Sequence, residues 1–278
     1  MSTLEIAFRA PRAKPARSLG PLATLARRRF QLTARTPREL IVPLLTPIMF
    51  ALVIAPALKT ALHTNAGYES FVAIGTVGLL IPLNTMFSGL GVIVDRVSGA
   101  QRDLLTAPIP RGLLVVGNLL VALAITSLQV GVLIGAAIAR GIHFDATATG
   151  IAWFTGAAVL LTVGMYGTAE ILAQRVPRQE EYIARVPAIA ILPWFLAGAL
   201  FPITALPSFL TWVATFLPLT HGLALMRYGL SNDSTGLHAI WHMSDPTAMA
   251  ALSFVALAAF ALLLTVASIR IFSRSAVR

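Results

Sequence analysis

The chain has 278 residues, 57% of them hydrophobic and only 12% charged, with a formal net charge of +10. A soluble domain carries roughly a quarter charged residues, so long uncharged runs broken by short polar segments indicate one polytopic membrane domain instead of a water-soluble core. Cysteine is absent, which excludes disulfides, thiolate chemistry and Cys-based metal sites and leaves the redox compartment unreadable.

The excess positive charge would raise the question of nucleic acid in a soluble protein, but here its meaning depends on which loops carry it, and no nucleic-acid partner is expected. Of the 21 basic residues only Lys14 and Lys59 are lysine, and alanine is abundant, a bias that points to a GC-rich bacterial genome. Residues 1–39 hold nine basic residues against Glu5 and Glu39 and are expected to form a cytoplasmic tail. The first apolar run follows a very long basic lead with no small-residue cleavage site behind it, which argues against a signal peptide. Within the tail, Leu19 to Arg38 is expected to lie on the membrane surface as a helix, with Leu22, Leu25 and Leu32 dipping in and arginines meeting anionic headgroups. Residues 1–18 read as a disordered basic arm.

A spanning helix needs about 20 apolar residues. Runs at 40–58, 71–94, 113–139, 151–173 and 248–269 qualify. Pro43, Pro47 and Pro56 make the first irregular without disqualifying it. Asp245 before Pro246 reads as an N-cap with proline at the first helical position. The stretch 186–230 is nearly all apolar yet is cut by Pro187, Pro193, Pro202, Pro207 and Pro218. One span fits at 186–200, and 201–230 is either a further span or two short helices that enter the outer leaflet and return. Charge parity separates these readings. With six spans, eighteen of the basic residues fall inside and only Lys59, Arg140 and Arg227 outside, whereas a seventh span would put Arg270, Arg274 and Arg278 outside. The predicted fold is therefore an all-α integral membrane protein. It has a basic tail with an interfacial helix (1–39), a six-span domain (40–272) containing a cytoplasmic coupling helix and a re-entrant outer hairpin (201–230), and a cytoplasmic C-tail (273–278).

Two segments carry motifs. The cytoplasmic one runs from Asp95 to Arg111, charged at the front, apolar at Leu104 and Leu105, and stopped by Pro108 and Pro110. That pattern makes a short amphipathic helix followed by a stiff turn, which suits a lever between a membrane helix and a cytosolic partner; a plain interhelical loop is the alternative. The outer one begins Phe201-Pro-Ile-Thr-Ala-Leu-Pro207 and ends Leu217-Pro-Leu-Thr-His-Gly-Leu-Ala-Leu-Met-Arg227. With these paired signatures in this order, the chain over roughly residues 20–275 resembles the permeases of the ABC-2 exporter family, and within it the daunorubicin-resistance and nodulation-export branch. Asp95, Arg96, Gly99, Leu104, Leu105, Pro108, Pro110 and Arg111 match the cytoplasmic motif, within which Arg102 is also a candidate coupling residue. Phe201, Pro202, Leu206, Pro207, Pro218, Thr220, His221 and Arg227 match the outer one. Gln101 to Asp103 stands where Thr-Leu-Glu is common in relatives, and Ser208 where many have Gly; these departures blur the branch and hence the substrate.

The resemblance implies two copies of such a permease, or a pair with a similar one, sitting in lipid on two ATP-hydrolysing subunits that hold ATP and Mg. It implies a transport subunit without catalysis or cofactor of its own, exporting an amphipathic drug-like or lipid-like compound from a bacterial cell. The residues agree on one point. The lysines follow Ala13 and Leu58, so no Gly-Lys-Ser/Thr phosphate loop exists here.

Other constellations are weaker. His238 and His242, four apart with Asp245 near, could offer metal ligands on one helix face but lack a metalloprotease glutamate, and no metal is expected. Gly131 and Gly135, and Gly89 and Gly91, read as helix-packing glycines. Glu170 would snorkel or pair near Arg175 at the inner interface, a structural role preferred to a functional one. Arg227 would tie the hairpin to a helix end through carbonyls, the preferred reading, or meet lipid phosphate or substrate. An ion-coupled carrier or channel would need ionisable residues at several helix midpoints. A membrane-embedded lipid-processing enzyme would need clustered polar groups. The sequence offers neither pattern.

Overall fold

The computed structural model describes residues 19–35, 41, 44–45, 48–49, 52–53, 56–57, 60, 67–106 and 110–275. The basic arm 1–18, most of the first run at 40–58 with Pro43 and Pro47, Lys59, Pro108 and residues 276–278 of the C-tail lie outside these. Among the described residues every regular element is helical. In order they are α1 (Leu19–Ala34), α2 (Tyr68–Ser88), α3 (Leu90–Val97), α4 (Ala100–Thr106), α5 (Gly112–Ala139), α6 (Ala148–Arg175), α7 (Gln179–Leu196), a 3₁₀ turn (Ile203–Ala205), α8 (Ser208–Thr215), α9 (Pro218–Ser231), α10 (Thr235–Trp241) and α11 (Pro246–Ser275).

Four of the described helical stretches are long and apolar enough to cross a bilayer: α2 continued by α3, α5, α6 and α11; the bent pair α8–α9 would make a fifth. The expected runs at 71–94, 113–139, 151–173 and 248–269 thus correspond to helices that each extend a few residues further. Asp245 starts α11 as anticipated, its carboxylate accepting from the Thr247 N–H at 2.8 Å. The expected span at 186–200 is displaced. Its helix α7 opens on the solvent-exposed Gln179, Glu180 and Glu181 and closes at Leu196, so only its second half is uniformly apolar.

The bundle is organised around α2, which is buried along nearly its whole length from Val72 to Met86 and packs against α5, α6, α7 and α9. A helix apolar on every side must be wrapped on every side, and this one has no polar face to expose. On the far side of α6, α11 packs along a row of small residues: a methyl on Gly164 would lie 2.6 Å from the Phe260 ring and one on Gly167 2.9 Å from the Leu264 carbonyl carbon. With no hydrophobic force between helices in lipid, such close approach is what holds them together. The helix expected at 19–38 is present as α1, ending at Ala34. It is docked on protein, with Leu22 and Leu25 against Gly117 of α5. Gly131 and Gly135, by contrast, meet none of the described residues within 4 Å of where a side chain would begin.

Candidate functional site

The Asp95–Arg111 motif is folded around a break in the central helix. Helix α2 stops at Ser88 and α3 begins after Gly89, whose N–H turns back to the Met86 carbonyl at 3.1 Å, so regular i to i+4 bonding is interrupted at the carbonyls of the last turn. Two side chains from elsewhere meet them. The Tyr182 hydroxyl of α7 donates to the Met86 carbonyl at 2.7 Å, and the Arg29 guanidinium of α1 donates to the Ser88 carbonyl at 2.9 Å. Both approaches pass through glycine: a methyl on Gly89 would lie 2.2 Å from the Tyr182 oxygen, and one on Gly91 1.6 Å from the Arg29 guanidinium. These are the two glycines read as packing positions, and they pack against polar atoms.

Asp95 on α3 then receives Arg28 at 3.0 Å and Arg29 at 3.7 Å, joining α1 to the motif. Arg96 reaches the end of α6, donating to the carbonyls of Ala173 at 2.7 Å and Val176 at 2.5 Å. A planar fork with five donors suits two adjacent helix-end carbonyls, and the cation sits at the negative end of the helix dipole. Arg111 repeats the arrangement at the start of α5, donating to the Ser273 carbonyl near the end of α11 at 2.9 Å. Between them the chain reverses at Gly99, whose φ of +81° falls in the left-handed region that a side chain disfavours. It then forms α4 and re-enters at Pro110, whose carbonyl accepts from the Leu113 N–H at 2.9 Å.

The short helix α4 is present, and its apolar pair packs on this chain. Leu104 and Leu105 are half-buried against the cluster of Leu114, Val115, Leu119 and Phe272 from α5 and α11, while Arg102, Asp103 and Thr106 are exposed. Val97, at the end of α3, is 72% exposed. The outward face of the motif is therefore Val97, Ser98, Arg102, Asp103 and Thr106.

A polar seam runs up from this break. The Tyr166 hydroxyl donates to Glu170 at 3.0 Å, Gln174 donates to the other oxygen of Glu170 at 3.1 Å, and Asn84 hydrogen-bonds to Thr126. Glu170 is buried and bonded to Tyr166 and Gln174, not to the exposed Arg175, so its partners are other than the one expected. Arg29, on the helix expected to turn its arginines to headgroups, is instead 8% exposed. The signal was present in the spacing, since Leu22, Leu25 and Arg29 fall on one helical face at i, i+3 and i+7.

At the other end of α2, the Phe201–Arg227 motif is a folded hairpin. Pro202 and Pro207 bracket the 3₁₀ turn, where Leu206 is half-buried and Phe201 is 37% exposed. Helix α8 then lies at 81° to α9, with Pro218 at the first turn of α9. Phe209, Trp212 and Phe216 of α8 point outward, whereas α9 is buried among α2, α6 and α11. Arg227 ties the two ends of the segment together. Its guanidinium donates to the carbonyls of Gly198 at 2.8 Å, Ala199 at 3.1 Å and, more distantly, Phe71 at 3.4 Å, and lies 3.4 Å from the centre of the Phe71 ring. This is the carbonyl-tethering role preferred from the sequence. His221 is buried, its Nδ1 3.2 Å from the Ser253 hydroxyl that also accepts from Trp241 at 2.8 Å; Thr220 is buried beside it. His238 and His242 do not share a helix face, because α10 ends at Trp241 and His242 turns left-handed with φ 53°. Among the described residues no three His, Asp or Glu side chains gather closely enough to hold a metal ion.

Two kinds of comparison bear on this architecture. Residues 21–231 match the ABC-2 type transporter family, and the chain belongs to it. It is 25% identical over 230 residues, covering 81% of this chain and 79% of the relative, to the "Putative transport permease ycf38" of Porphyra purpurea. It is 26% identical over 193 residues, covering 68% of this chain and 65% of the relative, to the protein of the same name in Pyropia yezoensis. The chain is accordingly a multi-pass membrane protein of the permease type.

Proposed function

We propose that this ABC-2 permease is the membrane half of an ATP-driven exporter, moving an amphipathic drug-like or lipid-like compound outward by alternating access. Both termini face the cytoplasm, in six spans with 201–230 re-entrant. Two copies, or this chain with a similar permease, sit on two ATPase subunits that supply ATP and Mg. The observation that carries the reading is the construction of the Asp95–Arg111 motif. Arg96 and Arg111 fasten it to the ends of α6 and α11, and Asp95 fastens it to α1, while one face stays exposed. A force applied to that face is passed to three other helices through charge-assisted hydrogen bonds, the stiffest polar links available. A plain loop would need none of them. An apolar interior with few charges favours amphipathic cargo, and the family relation favours a partner ATPase as the energy source.

The experiment uses the tagged full chain and the ATPase subunit that copurifies with it. Val97→Asp combined with Arg102→Glu alters the exposed face alone and is expected to release the ATPase while leaving the melting temperature of the permease unchanged. Leu104→Asp with Leu105→Asp is the less specific variant, since both leucines pack on the permease's own core. Retention of the ATPase and of its hydrolysis rate in the Val97/Arg102 variant would remove the coupling assignment.

A further inference from the structure

Beside the coupling motif, α1, α4, α5 and α11 enclose a cleft that none of the roles above uses. It is lined by Leu25 and Arg28 of α1, Gln101 and Leu104 of α4, Asn118 of α5 and Phe272 of α11, with Asp95 at its base. Gln101 is 9% exposed, and its Oε1 has no hydrogen-bond partner. A buried amide oxygen left unmet costs free energy unless a bound group reaches it. The enclosed part of the cleft measures about 20 Å³, on a scale where one water needs roughly 10–15 Å³, so it takes a single hydroxyl-sized group with the remainder of the ligand at the mouth. At that mouth stands Arg28, its side chain 35% exposed and using one nitrogen on Asp95, so further N–H donors face outward. The charges of Arg28, Arg29 and Asp95 sum to one positive, with the buried Glu170 within electrostatic reach of Arg29. Apart from Asn118, the rest of the lining is apolar.

From this arrangement we infer that the cleft holds the headgroup of an anionic, hydroxyl-bearing phospholipid of the adjacent leaflet, a phosphoglycerol type. Its phosphate sits on Arg28, its hydroxyl on Gln101, and the start of its tails on Leu25, Leu104 and Phe272. A hydroxyl both donates and accepts, so it satisfies the Gln101 amide in either of its two orientations. A basic pocket between helices at a membrane face is suited to anionic headgroups in general; the buried amide adds selection for a hydroxyl. Because the lipid would bridge α1 to α4, it would set how firmly the interfacial helix follows the coupling motif. That consequence rests on the coupling reading, whereas binding itself does not.

The test is equilibrium binding to the full chain in phosphatidylcholine nanodiscs, without ATPase, so its outcome is independent of partner and sidedness. Phosphatidylglycerol is expected to displace a fluorescent phosphatidylglycerol probe at lower mole fraction than phosphatidic acid, and phosphatidylcholine not at all. Arg28→Gln should weaken both anionic lipids about fivefold, the scale of one basic residue at an anionic surface. Gln101→Leu should abolish the preference for phosphatidylglycerol over phosphatidic acid and leave the rest. Arg175→Gln, an exposed arginine elsewhere, should change nothing. Equal binding of phosphatidylglycerol and phosphatidic acid to the unmodified chain, or an unchanged preference in Gln101→Leu, would mean that only water fills the cleft and would overturn the inference. Displacement of the probe by millimolar inorganic phosphate would overturn it in favour of a free anion. Melting curves of both variants identify any that misfold, and the competition among lipids on the unmodified chain decides the matter without them.

Discussion

Substituting Gly91 by alanine is expected to change sign with the residue at position 29. In the unmodified chain the new methyl would lie 1.6 Å from the Arg29 guanidinium, so that group must leave its notch. Leaving it breaks the 2.9 Å bond to the Ser88 carbonyl and the 3.7 Å approach to Asp95. A charge-assisted hydrogen bond at a buried site contributes about 1.5–3 kcal/mol, and the partly shielded ion pair adds up to about 1 kcal/mol. Alanine is the better helix former by about 1 kcal/mol, which leaves a net loss of roughly 1–3 kcal/mol for Gly91→Ala alone. In an Arg29→Ala background the notch is empty, and the same change should be neutral or stabilising by up to about 1 kcal/mol. Reversible unfolding in mixed micelles with increasing denaturing detergent, followed by circular dichroism, yields the four free energies of this cycle. A coupling of about 2–4 kcal/mol between positions 29 and 91 is the expected result. If Gly91→Ala costs the same in both backgrounds, Arg29 does not occupy the notch and α1 is not clasped to the Asp95–Arg111 motif.

Two further outcomes follow from the same structure. Arg227→Met should leave the Gly198 and Ala199 carbonyls unmet, destabilising by about 1–3 kcal/mol, the penalty of a buried acceptor left unsatisfied. Arg227→Lys, which keeps the charge but not the fork, should recover only part of the loss when melting is compared. Single cysteines introduced at Ser208 and Ser275 test the sidedness in this cysteine-free chain. Ser208 should react with an impermeant thiol reagent in intact cells and Ser275 only after lysis, and labelling of position 275 from outside would replace six spans by an odd number.

Much of this protein is legible without coordinates because a bilayer imposes a one-dimensional rule. Apolar length selects the spanning helices at 71–94, 113–139, 151–173 and 248–269, and Asp245-Pro246 marks where the last begins, since lipid cannot hydrate backbone and only a long helix satisfies it internally. The motif positions Gly99, Arg96 and Arg227 are likewise visible, because a reversal in the left-handed region and an arginine among apolar residues have few uses. What no local pattern specifies is which carbonyl an arginine meets. The ends of α2, α6, α7 and α11 come to Arg29, Arg96, Arg227 and Arg111 from positions 28 to 162 residues away in the chain, and the direction of Leu104 and Leu105 depended on where α5 and α11 stand. Apolar side chains on a short helix are equally content against a partner or against their own chain. Tertiary packing alone chose the latter, because α5 and α11 meet beside α4 and offer them an apolar surface.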